Sequence, residues 1–144
     1  MAEVIMEGME DLTSSLEHLV MKYPDRAGDF LMKQGRETRK GAAKEMRSQV
    51  RTDTSERYSL GKLGNYRLTL KGYGTAQEVE LSARSPHFHL IEHGHAEYDF
   101  RGFPTGGFVR GYHIMDTERK KREQKIHGEC MDWAEDILKE EGFL

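Results

Sequence analysis

This sequence has few cysteines, no long apolar run and no large excess of either charge, and each scarcity excludes a class of protein. Cys130 is the single cysteine, so the chain cannot form an internal disulfide. No apolar stretch is long enough to span a membrane, and the opening MAEVIMEGMEDL carries acids where a signal peptide needs Lys or Arg. We therefore expect a soluble, intracellular protein with no membrane partner.

The charges are close to balance, with 22 Lys and Arg against 25 Asp and Glu in 144 residues. A net charge of −3 is not typical of a basic nucleic-acid binder, and the length is that of one ordinary domain. We therefore expect a single domain over residues 1–144. It would have a helical part in 1–50, a sheet part in 65–110 and a C-terminal helix in 114–141.

Apolar residues at helical spacing predict three long helices. The first should end before Pro24, because proline lacks the amide hydrogen that a helix interior needs, and the second should cover 25–50. The last should cover 114–141, with Cys130 on its apolar side, which predicts a buried, inert thiol. Residues 51–64 are polar and rich in turn formers, which predicts a loop that stays mobile without a partner.

Alternating apolar and polar residues predict two β-hairpins between the helices. The first places six apolar residues at alternate positions: Tyr66, Leu68, Leu70, Val79, Leu81 and Ala83. The second and weaker hairpin runs from Ala96 to Arg110, with glycines and a proline at its tip. We therefore predict an α+β fold in which about four antiparallel strands form one sheet. This sheet would pack against two N-terminal helices and the long C-terminal helix, with a short helix at 86–93.

The stretch SPHFHLIEHGHAEYDFRG contains His89, Glu92 and His93 in the spacing of the HxxEH zinc-peptidase motif. Ser85 as an N-cap and Gly94 just past the end predict a short helix, which would place both histidines on one face. Residues four apart on a helix can bring two imidazole nitrogens to one zinc ion, with the glutamate as the base. The local spacing therefore permits an enzymatic interpretation.

The rest of the chain disfavours zinc hydrolysis, because such peptidases also need a third ligand and a substrate groove. The last helix is so acidic that it offers candidates by chance, namely Glu118, Glu123 and Glu129. Metal binding without catalysis is a less demanding alternative that would use His87, His89, His93 and His95. In the preferred interpretation the segment is structural: Phe88, Leu90 and Ile91 anchor the helix, and Gly94 makes a positive-φ turn.

Two segments of the chain resemble one protein family. Residues 86–95, PHFHLIEHGH, are similar to the "PHxHLxExGH" segment of the lambda-like neck and tail-completion proteins of tailed phages. Residues 108–115, FVRGYHIM, resemble that family's "FVxGxHxM" segment, which leads straight into a long charged C-terminal helix. The matching positions are Pro86, His87, His89, Glu92, His93, Gly94, His95, Phe108, Val109, Gly111, His113 and Met115. Residues 1–60 match the family in the pattern of their predicted elements but not in residue identity.

The resemblance implies a non-enzymatic virion protein of a phage or prophage, with no cofactor, made in the host cytoplasm. Such a protein assembles as a homo-oligomeric ring where the tail meets the head. Its implied partners are its own copies, head-completion or connector proteins and a tail terminator or tail tube protein, with DNA passing through the channel.

The resemblance also implies roles for the two motifs. The first motif shapes the short helix and the turn after it, and the second sets the start of the last helix. Because a ring subunit must expose surfaces to its neighbours, we expect contacts from the first helix and from loops 51–64 and 100–108.

A DNA-binding module is the alternative from a different class. Basic residues cluster on the second predicted helix, including Arg39, Lys40 and Arg47, and again in residues 119–122, RKKR. Glutamates interrupt both clusters and no recognition motif accompanies them, so solvated helix faces are the preferred interpretation.

Overall fold

The structure, a computed structural model, describes residues 8–50, 59–74 and 76–144. Within these ranges the chain forms three α-helices and two antiparallel pairs of strands, so the fold belongs to the α+β class. The elements are α1 (Met9–Gln49), a 3₁₀ turn (Leu63–Asn65), β1 (Tyr66–Lys71), β2 (Glu78–Ala83), α2 (Phe88–His93), β3 (Gly94–Tyr98), β4 (Pro104–Arg110) and α3 (Ile114–Glu140).

The N-terminal part is one continuous helix, so the prediction of two helices separated at Pro24 is wrong. α1 is 41 residues long and contains Pro24 in its interior. An interior proline costs a helix about 3 kcal/mol, because one hydrogen bond is lost. Contacts on both sides offset that cost: Tyr23 and Phe30 pack on Trp133 of α3, and the Gln77 amide donates to the Pro24 carbonyl at 2.7 Å.

The strands form two separate two-stranded sheets, which corrects the prediction of one sheet of about four strands. The β1–β2 hairpin has the predicted alternation, with Leu68 opposite Leu81, and it packs on α1. The β3–β4 hairpin instead continues directly from α2 and contacts chiefly that helix. All seven residues of β4 are exposed, so this hairpin has no buried face with which to extend the first sheet.

The core lies where α1, the start of β1 and the start of α3 meet. Its buried apolar side chains are Ala42, Ala43, Met46, Leu60, Tyr66 and Ile114. Phe88 and Ile91 of α2 pack against this cluster, as the sequence predicts. The Tyr66 hydroxyl donates to the Leu60 carbonyl at 2.7 Å, and burial raises the pKa of this phenol well above its usual range.

The predicted loop over 51–64 is only partly described, since residues 51–58 lie outside the described ranges. Its described end is not a solvated loop, because Ser59 and Leu60 are buried and Leu60 belongs to the core. The Arg47 guanidinium on α1 donates to the Gly61 carbonyl at 2.6 Å, which fixes this end of the segment to the helix. Residues 1–7 of the predicted helical part also lie outside the described ranges.

α3 runs antiparallel to α1 and is tied to it by charged side chains. The Arg26 guanidinium donates to both carboxylate oxygens of Glu140, at 2.6 and 3.1 Å. The observed range Ile114–Glu140 ends one residue before the predicted end. Cys130 is exposed, so the prediction of a buried thiol is wrong. Among the described helices, none has a stretch long and apolar enough to cross a membrane.

Candidate functional site

The helix that carries the first motif is shorter than predicted. α2 begins at Phe88 and not at Pro86, because the turn before it is closed by bonds to Ser85. The Ser85 hydroxyl accepts a hydrogen bond from the His87 N–H at 3.3 Å, and the backbone carbonyl of Ser85 accepts one from the Phe88 N–H at 3.2 Å. α2 ends at His93 as predicted, and Gly94, just past the end, has a φ of 83°.

Glu92 is the central side chain of this site, because it joins the first motif to the second. It is only 3% exposed. Its two carboxylate oxygens accept hydrogen bonds from the backbone N–H groups of Met115 and Asp116, at 3.1 and 3.0 Å. The first N–H groups of a helix have no partner inside the helix, and the helix dipole favours a negative charge at this end. His113 at the N-cap provides no side-chain bond, so Glu92 caps α3 from 23 residues away.

Backbone hydrogen bonds connect the same two segments. The Tyr112 N–H donates to the Ile91 carbonyl at 2.9 Å, and the His113 N–H donates to the Glu92 carbonyl at 3.1 Å. The last carbonyls of α2 are thereby satisfied by the residues that lead into α3. His113 adopts a left-handed conformation with a φ of 50°, which is uncommon for a residue with a side chain.

Two glycines make this connection sterically possible. A Cβ on Gly94 would lie 2.7 Å from the Gly111 nitrogen, and a Cβ on Gly111 would lie 2.6 Å from the Gly94 nitrogen. Both distances are far shorter than a carbon–nitrogen contact allows, and the obstructing atoms are backbone. The motif positions Glu92, Gly94, Gly111, His113 and Met115 therefore form one compact junction between α2 and α3, which we call the capping junction.

The histidines of the first motif do not converge on one point. His87, His89 and His93 are exposed, and the His95 Nδ1 lies 2.9 Å from the Ala96 carbonyl oxygen. The His93 and His113 rings are neighbours, with centroids 6.2 Å apart. Within residues 8–50, 59–74 and 76–144, no three His, Cys, Asp or Glu side chains are grouped as a metal site would need.

The glutamates considered as a third zinc ligand bond to residues of the helices. Glu118 pairs with Lys121 at 3.2 Å, and Glu123 pairs with Arg119. Glu129 bonds to Gln34 and Arg122, which hold the pKa of its carboxyl below its usual value. All three lie on the α3 helix and none joins a cluster with His89 and His93.

The β3–β4 hairpin extends from the capping junction and exposes an unusual amount of aromatic surface, which the sequence patterns do not predict. Phe108 and Val109 of the second motif are exposed on β4. The other exposed aromatic residues of the hairpin and its flank are Tyr98, Phe100, Phe103 and Tyr112. The turn at its tip is ordered by the Asp99 carboxylate, which accepts from the backbone N–H groups of Arg101 and Phe103 at 2.9 and 3.0 Å.

The basic residues proposed to face DNA do not form a common patch of free cations. Lys40 is exposed, Arg39 is half-buried, and Arg47 is bonded to the Gly61 carbonyl. In the second cluster every cation pairs with a carboxylate. The pairs are Arg119 with Asp116 and Glu123, Lys120 with Asp116, Lys121 with Glu118, and Arg122 with Glu37 and Glu129.

Comparisons of the chain with protein-family models, with curated proteins and with solved structures find no match. The capping junction and the exposed hairpin are therefore the features of the chain that bear on its function.

Proposed function

We propose that this chain is a structural subunit of a tailed-phage or prophage virion and has no enzymatic role. It forms a homo-oligomeric ring in the neck and joins the head connector to the tail. Its partners are other copies of itself, a head-completion or connector protein and a tail terminator or tail tube protein. The observation that carries the proposal is the capping junction, because it explains both motif segments as parts of one structural unit.

The position of Glu92 supports a structural role for the glutamate of the HxxEH motif. A peptidase glutamate must reach a metal-bound water in an open site. Here the carboxylate is buried, and both of its oxygens accept bonds from the first turn of α3. A charged acceptor at a helix N-terminus stabilises that helix and fixes its direction. The glutamate is thereby used for folding the chain.

The exposed apolar residues support an assembly role. Monomeric proteins rarely expose large contiguous apolar patches, and such patches commonly mark contacts with other proteins. The β3–β4 hairpin carries Phe100, which is 96% exposed, together with Phe103 and Phe108. The first turns of α1 also expose apolar side chains, namely Leu12, Leu16, Val20 and Met21. A ring subunit needs at least two such surfaces, because each copy contacts two neighbours.

DNA binding is the weaker candidate function. Carboxylates neutralise each cation in residues 119–122, which leaves few groups free to replace the counterions of a DNA backbone. Lys40 and its exposed neighbours on α1 could still meet DNA that passes through a ring. A salt-sensitive affinity for duplex DNA that disappears when Arg39, Lys40 and Arg47 are replaced by alanine would favour this second function.

The experiment that tests the proposal is deletion of the gene from its phage or prophage, followed by electron microscopy of the particles. Separate filled heads and separate tails are the expected result, and the wild-type gene supplied in trans should restore joining. Joined, infectious virions from the deletion strain would overturn the proposal. Stoichiometric zinc in the purified protein, lost together with a peptidase activity in His89→Ala, would instead establish the enzymatic alternative.

A further inference from the structure

We propose that the tip of the β3–β4 hairpin of one copy binds in a groove between α1 and α3 of a second copy. This inference rests on the proposed ring function and supplies the contact between neighbouring subunits. Three features support it: the chemistry of the tip, the chemistry of the groove, and the presence of both on the same chain.

The tip presents an arginine between two phenylalanines. Phe100 is 96% exposed and Phe103 is 63% exposed. The Arg101 guanidinium lies 5.4 Å and 6.0 Å from the centroids of their rings, so the three side chains form one projecting surface. The Asp99 carboxylate holds the turn in shape, which lowers the entropy that binding would cost.

The groove is lined by aromatic side chains from two helices. Trp133 of α3 lies against Tyr23 and Phe30 of α1, with ring centroids 5.9 and 5.2 Å apart. Ile126 and Cys130 continue the apolar wall along α3, and the Cys130 thiol is exposed there. A concave aromatic surface of this kind accepts a phenylalanine side chain well, because offset and edge contacts between rings are favourable.

The charges beside the groove complement Arg101. Asp29, Asp132 and Asp136 lie on the adjoining surface, which shares Phe30 and Trp133 with the aromatic groove. Among the described residues none of these three carboxylates forms an ion pair. Arg26 lies beside them, but its guanidinium is already bonded to both oxygens of Glu140. Lys33 lines the same surface, so the three aspartates outnumber the two cations Arg26 and Lys33 there. An incoming arginine would therefore meet an excess of carboxylates next to the site for its flanking phenylalanines.

The occupant is a second copy, because the tip and the groove are different surfaces of one chain and neither is covered by the described residues. Contact between two different surfaces joins copies head to tail, and such a contact closes into a ring when the rotation per subunit permits. A tip-to-tip contact would instead stop at a dimer. The two arrangements thus predict different products when neighbouring copies are linked covalently.

The native cysteine allows this contact to be trapped as a disulfide. The chain has Cys130 as its one cysteine, in the groove wall, and Phe103→Cys places a second thiol at the tip. Phe100 and Arg101 are kept to direct binding. Concentrated Phe103→Cys protein, oxidised mildly and run on a denaturing gel without reductant, is expected to give a ladder of dimers, trimers and higher species.

Three control variants decide the interpretation. Cys130→Ser in the Phe103→Cys background should abolish the ladder, and Ser48→Cys, at an exposed position on α1, should give none. Arg101→Ala in the Phe103→Cys background should lower the ladder yield by about two- to fivefold, as expected for one exposed charge pair. A ladder no stronger than that of Ser48→Cys, or dimers that persist without Cys130, would overturn the docking proposal.

The two proposals fail in different experiments. Absence of the ladder, with heads and tails separate in the deletion strain, removes the docking contact and leaves the neck function standing. A specific ladder, with normal virions in the deletion strain, shows that the chain self-associates through the groove and removes the neck function.

Discussion

Gly94 and Gly111 lie backbone against backbone, so closely that neither position has room for a side chain. Gly94 ends α2 in a conformation that favours glycine, with a φ of 83°, while Gly111 lies just before α3. The contact sets the distance between the two motif segments, and Glu92 then reaches the first turn of α3. Steric fit and helix capping thus depend on one another at the capping junction.

Gly111→Ala should destabilise the fold by about 2 to 3 kcal/mol, in the range for an atom forced into a packed site. The added carbon would meet backbone atoms of Glu92, His93 and Gly94, which cannot rotate away. Urea unfolding monitored by circular dichroism measures the change. The matched control is Gly128→Ala in α3, where the new carbon meets nothing, and which should stabilise the helix by about 0.5 to 1 kcal/mol. Equal unfolding midpoints for the two variants would contradict the steric argument.

Glu92→Ala should lower the free energy of unfolding by about 2 to 4 kcal/mol, because two charge-assisted hydrogen bonds to the first turn of α3 are lost. Glu92→Gln should cost less, since one side-chain oxygen remains to accept a bond. The same urea experiment applies to both variants. Glu123→Gln, which breaks an exposed pair with Arg119, is the control and should change stability by less than about 1 kcal/mol. If Glu92→Ala unfolds like this control, Glu92 is not a stabilising cap.

Pro24→Ala should stabilise the protein by about 1 to 3 kcal/mol, because alanine restores an amide hydrogen inside α1. The Gln77 side chain bonds to the carbonyl of residue 24, and alanine retains that carbonyl. Thermal unfolding should therefore show a higher Tm than the parent protein. A lower Tm would indicate that proline at position 24 is needed for Tyr23 and Phe30 to reach Trp133.

Stability should fall as the pH drops from about 5 to 3, because two glutamates between the long helices have lowered pKa values in the folded state. His18 and Lys22 hold the pKa of Glu141 below its usual 4.5, and Gln34 and Arg122 do the same for Glu129. Their stabilisation is complete above the unfolded pKa and is lost as the pH falls through the lower folded values. Glu141→Gln should show a shallower loss of Tm over this range, and an unchanged slope would contradict the assignment.

Local sequence patterns predict most of the individual elements of this fold, but they predict less well how those elements pack against one another. The alternation in residues 66–83 predicts the first hairpin, and the apolar spacing after residue 114 predicts α3 almost to its end. Pro24 leads to the wrong prediction of two separate helices, because the penalty of an interior proline is local. The contacts that offset this penalty come from Trp133 and Gln77, far along the chain. Whether two hairpins merge into one sheet depends likewise on which face each one buries.

At the candidate site, too, the sequence predicts the local helix but not the contacts with residues far along the chain. Ser85 and Gly94 predict a short helix from the sequence alone, and the glycine follows its last residue as predicted, but the N-cap is His87 and not Ser85. The partners of the Glu92 carboxylate are backbone groups of Met115 and Asp116, which no side-chain pattern identifies. Cys130 follows the apolar spacing of α3 but is exposed, because α1 and the first hairpin leave that part of the helix uncovered.

The antiparallel pairing of α1 with α3 has a consequence for synthesis of the chain. Arg26 and Glu140, which bond to each other, are 114 residues apart. A ribosome adding about 5 to 20 residues per second needs about 6 to 23 seconds to make that length. Throughout this interval the side of α1 that carries Tyr23 and Phe30 has no Trp133 to cover it. That side is the first aromatic surface a chaperone can meet, and α3 covers part of it only after that helix emerges and folds back.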